Sequence, residues 1–159
     1  MFQVLRISAK FRGSADPGVR YATICSLMAF IVGAWAWSYP IAAEHIPFFL
    51  SAPPAGYVAS RLCWRGFRAM RISFPETGIM TGLFTALLAQ YFNFALLGAG
   101  YWLLDVASGS PREAPLWERL TWIAALQTAV SLWYTGLATI SATIFAALYV
   151  ETNDAVLQA

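Results

Sequence analysis

"TGIMTGLFTALLAQYFNFALLGAGYWLL", residues 77–104, runs for 28 residues without one Asp, Glu, Lys or Arg. An α-helix rises about 1.5 Å per residue, so about 20 apolar residues cross a hydrocarbon core of about 30 Å. The stretch is long enough, and it lacks the polar stripe at period 3.6 that a soluble core helix carries. Three further uncharged runs, 21–43, 45–60 and 120–150, are 23, 16 and 31 residues long. The whole chain is 59% hydrophobic and 11% charged, against about 25% charged in a soluble domain. This patterning predicts an all-α fold, an integral membrane helical bundle of three to four transmembrane helices. Residues 1–159 are read as a single membrane domain.

Local signals divide the runs. Residues 1–17 read as a basic, cytoplasmic N-terminus. Asp16-Pro17 has the form of an N-cap followed by proline at the first helical position, and Pro40 should end that helix. The first span is thus placed at 18–39; it outruns the apolar core of a signal peptide, about 7–15 residues, and reads as retained. Pro53 and Pro54 remove two helical amide donors, a fault in lipid unless other groups replace them. Residues 42–60 are therefore expected as a broken span or a re-entrant segment, and 61–72 as a basic interfacial helix. A span at 74–104 follows, opened by a capping-box spacing from Ser73 to Glu76. A polar loop at 105–116 holds a second such spacing, Ser110 to Glu113. The last span is placed at 117–150, with 151–159 as a tail.

Threading follows from the basic residues. Residues 1–20 hold Arg6, Lys10, Arg12 and Arg20, and 61–71 hold four arginines. Lys and Arg near span ends favour the cytoplasmic side. Both clusters lie inside only if the chain goes out through the first span and back through 42–60. The expectation is four passes in a bacterial inner membrane, with both termini cytoplasmic; a three-pass form would leave one arginine cluster outside.

Arg61, Arg65, Arg68 and Arg71 fall on one helical face with Trp64 among them. They suit anionic lipid headgroups, each basic residue contributing about 1 kcal/mol near the surface. A nucleic-acid role would need a projecting segment with more charge and base-reading groups, and none is expected. His45 is the sole histidine, so a bis-histidine haem or a histidine-cluster metal site cannot come from this chain alone. It stands as the one candidate axial ligand for a haem or pigment; no cofactor or metal is otherwise expected.

Two lines of small and hydroxyl residues recur every fourth position: Gly78, Gly82, Ala86 and Gln90 (with Asn93 beside it), and Ser131, Thr135, Thr139, Thr143 and Ala147. Such lines allow close helix approach and hydrogen bonding across the contact. The nucleophile, zinc and nucleotide-loop motifs of common enzymes are missing, and the reading is a non-catalytic protein. It is expected to act as an accessory or interaction subunit, meeting membrane lipids and other membrane subunits or copies of itself. The alternatives are a small oligomeric transporter or channel lined by Gln90, Asn93 and the threonines, and a pigment- or haem-binding subunit using His45.

The stretch from Ala55 to Gly82, with Trp64, Arg65 and Arg68 ahead of a span, and "ISATIFAALYVE" ending in Leu148-Tyr149, resembles the end of YciC-like multi-pass domains. The same domain type accompanies some glycerophosphodiester phosphodiesterases. The resemblance implies membrane residence without defined catalysis. The basic tail of that family is replaced here by Glu151, Thr152, Asn153 and Asp154.

Overall fold

The computed structural model describes residues 16–37, 48–70, 75–109 and 114–158. Helix α1 (Pro17–Trp37) opens as the Asp16-Pro17 pair dictates. The Asp16 carboxylate accepts from the Gly18 amide at 2.9 Å, and its carbonyl accepts from Val19 and Arg20. Helix α2 (Phe48–Ala69) runs back along α1. Helix α3 (Glu76–Ser108) is next, then the short α4 (Leu116–Glu118), a π-helical turn at Arg119–Ile123, and α5 (Ala124–Gln158). Each long helix is antiparallel to the one before it, and α5 closes the ring against both α3 and α1. The described residues thus form an all-α, up-down-up-down bundle. Three of its helices are long and apolar enough to cross a membrane, over Pro17–Trp35, Glu76–Ser108 and Thr135–Asp154.

Three expectations need correcting. First, α2 continues unbroken through Pro53 and Pro54, so residues 48–60 of the expected broken or re-entrant segment and 61–69 of the expected interfacial helix are one rod. The prolines fall in its second turn. The carbonyls they orphan, of Phe49 and Leu50, belong to the first turn of α2 rather than to the middle of the helix. Second, α3 outlasts the expected 104 and ends at Ser108, where Gly109 takes φ +67° and its amide caps the last carbonyls. Third, 151–158 of the expected tail continue the last helix, because α5 remains helical to Gln158. α3 is preceded by Pro75; the capping-box spacing from Ser73, and that from Ser110 to Glu113, fall outside the described residues.

The helices approach closely where side chains are small. A Cβ added to Gly82 would overlap the backbone of Ile144, and one on Gly56 would sit 3.3 Å from the Cys25 carbonyl. Thr143 adds a bond across the first contact, its hydroxyl donating to the Gly82 carbonyl at 2.8 Å. Below this level Tyr21, Cys25, Trp64, Ala146, Ala147 and Val150 make one buried cluster.

Candidate functional site

Two polar layers lie inside this apolar shell. The first is mid-bundle. All four long helices meet around a cavity of about 90 Å³. α1 and α2 supply small or apolar walls (Ala29, Val32, Gly33, Ala52). α3 brings Gln90, Asn93 and Phe94, and α5 brings Ser131, Thr135 and Thr139. Gln90 is held from both ends: its Nε2 donates to Thr135 at 3.2 Å and its Oε1 accepts from Ser131 at 3.2 Å. Ser51 donates to Asn93 Oδ1 at 2.6 Å. Asn93 is buried, at 8% exposure. The threonines satisfy their own hydroxyls on the carbonyl one turn back, Thr135 on Ser131 and Thr139 on Thr135.

The second layer is a charged cap where α1 and α3 begin and α2 and α5 end. Arg20 pairs with Asp154, each side chain about 10% exposed. Glu151, one turn before Asp154, is buried too, and its Oε2 lies against Gly78, 2.9 Å from where a Cβ would stand. Arg20 Nε, Glu151 Oε2 and Asp154 Oδ2 are buried without a hydrogen-bond partner. Outside this trio the cap is looser. Arg61 reaches Asp16 at 2.8 Å, and Arg68 stacks over the Trp64 ring at 4.8 Å. The Arg61 hydrogen bond, and then the Gly18 amide, hold the Asp16 carboxyl below its ordinary range.

No family model, curated protein or solved structure matches this chain. The residues must therefore speak through their positions.

The two small-residue lines face each other: Gly78 and Gly82 meet Leu148, Glu151 and Ile144, and Gln90 meets Ser131 and Thr135. The arginine face is divided in its duties. Trp64, assigned to the interface, is instead only 5% exposed and tilts against Tyr21, with ring centroids 5.2 Å apart. It packs inward because α2 stands upright beside α1, which leaves Leu62 and Met70 on the outside. Arg61 is tied to Asp16, while Arg65 is exposed. Arg71 and His45 lie outside the described residues.

Arg20, Glu151, Asp154 and Ser51 were not among the expected site residues. The signal for the acids was present: Glu151 and Asp154 are three apart, on one helical face, directly after an apolar run. Reading the last span as ending at 150 hid them. At the far end Arg119 pairs with Asp105 at 2.7 Å, and the Tyr91 hydroxyl donates to the Leu120 carbonyl of the π turn at 2.7 Å.

Proposed function

We propose that the protein is a four-pass, non-catalytic membrane subunit that assembles with other membrane protein. Supporting the threading, Arg20, Arg61, Arg65 and Arg68 all stand at one end of the bundle, which the positive-inside rule puts in the cytoplasm. α2 is less apolar than the other long helices because these arginines load its last turns, yet its 22 residues pack along α1.

The observation that carries the assembly reading is an apolar arm. Ser51 is level with Asn93, so α2 begins about level with Leu96. Among the described residues α3 and the α4–α5 rod reach furthest beyond that point, with Leu103, Leu104, Trp117 and Trp122 exposed. As helix, residues 77–104 are about 42 Å long. Fitting them inside a core of about 30 Å takes a tilt of about 45°, beyond the usual range of about 0–40°. Part of this surface needs cover that lipid chains do not supply, and a membrane protein partner supplies it.

A photo-crosslinking residue at Leu103 or Trp122, irradiated in native membranes, tests this. Discrete protein adducts are expected from both positions, and none from Phe145 on the outer face of α5. Equal labelling at all three positions, or lipid adducts alone, would reject the reading.

A further inference from the structure

The mid-bundle cavity has the makings of a binding site. Its polar wall is built: Gln90 is clamped by Ser131 and Thr135, and Asn93 is fixed through one end of its amide by Ser51. Asn93 is more than nine-tenths buried and lines the cavity. Ser51 engages its Oδ1, which leaves two N–H donors for whatever occupies the space. Serine and threonine hydroxyls on α5 offer acceptors opposite. The space exists because the facing positions are Ala29, Gly33 and Ala52.

No described residue in the lining carries a charge. An ion there would be unpaired in a medium of low dielectric, which is costly. A neutral molecule with both donors and acceptors meets no such penalty. About 90 Å³ is the liquid volume of roughly three waters at about 30 Å³ each, which suits a solute of about four to five heavy atoms. We infer that this cavity binds a small, uncharged amide-like solute, with Asn93 and Gln90 as its hydrogen-bonding partners. The site is separate from the assembly surface of the arm and does not depend on it.

Acetamide is the probe. Ala52→Cys, in a Cys25→Ala, Cys63→Ala background reconstituted in lipid, places a thiol on the wall without touching the polar groups. Iodoacetamide should alkylate it at least tenfold faster than Phe145→Cys in the same background. Excess acetamide should slow that reaction at least threefold, and adding Asn93→Leu should remove the protection. Rates equal to the Phe145→Cys control, or no protection by acetamide, overturn the inference. The unsubstituted protein gives an independent test. Labelled acetamide should show magnetisation transfer to an asparagine side-chain amide by solid-state NMR, lost in Asn93→Leu; no transfer likewise overturns it.

Discussion

The two ends of the bundle are held by opposite means. At the charged end four helix termini converge; a buried ion pair ties α1 to α5, a second pair at the rim ties α2 to the residue that caps α1, and Arg68 stacks on Trp64 within α2. At the far end, among the described residues, α3 and the α4–α5 rod reach furthest, joined by Asp105–Arg119 and by Tyr91 on the π turn. The contrast separates a cap in which loss of one group strands others from an arm in which contacts are few and local.

The largest effect should come from the cap. Asp154→Ala leaves Arg20 buried and unpaired, and should cost about 3–5 kcal/mol of stability. Denaturant titration in mixed micelles measures it. Replacing both partners, Arg20→Leu with Asp154→Leu, should recover most of that loss. If the double variant is no better than the single, the pair is not what holds this end.

Gly82→Val comes next, because its added carbons must push into the Ile144 backbone. A loss of about 1–3 kcal/mol is expected, the usual cost of overpacking. Full stability in this variant would mean that α3 and α5 do not approach as described. At the arm, Arg119→Ala should cost about 1 kcal/mol, since its carboxylate partner keeps partial access to solvent. That loss should appear as faster amide exchange in 98–108, leaving α1 unaffected.

The smallest effect belongs to Asp16 and Arg61. Asp16 has a lowered folded-state pKa, so its contribution is present above the unfolded value near 3.8 and disappears as pH falls through the folded one. With its carboxylate side chain 56% exposed, the effect should be slight and screened by salt. Comparing acid unfolding of Arg61→Ala with the parent checks it: the difference should vanish at the lowest pH and in high salt.

Residues 77–104 disclosed their helix because absence of charge over such a length leaves lipid as the only comfortable surrounding. Asp16-Pro17 disclosed the start of α1 because capping is decided within one turn. The continuity of α2 was hidden, since the cost of Pro53-Pro54 depends on how far they stand from a helix end, and Pro47, just before Phe48, is a start signal no stronger than Pro53-Pro54 themselves. The cap was hidden for a different reason. Arg20 and Asp154 are 134 residues apart in sequence, and charged residues beside a span look the same whether they face headgroups or each other. The polar wall of the cavity was legible as two stripes, whereas its volume was not. It depends on Ala29, Gly33 and Ala52, which carry no pattern of their own.

The π turn at Arg119–Ile123 has a geometric consequence of its own. It accommodates one residue more than an α-helical turn, and each helical residue advances the face by about 100°. Everything before Arg119 is thereby rotated relative to everything after Ile123. The azimuth of Trp117 is thus decoupled from that of Ser131 and Thr135, although they belong to one continuous rod. A one-residue deletion inside 119–123 would convert the turn to regular helix and swing the Trp117 edge around the axis. The hydroxyl stripe would stay in place.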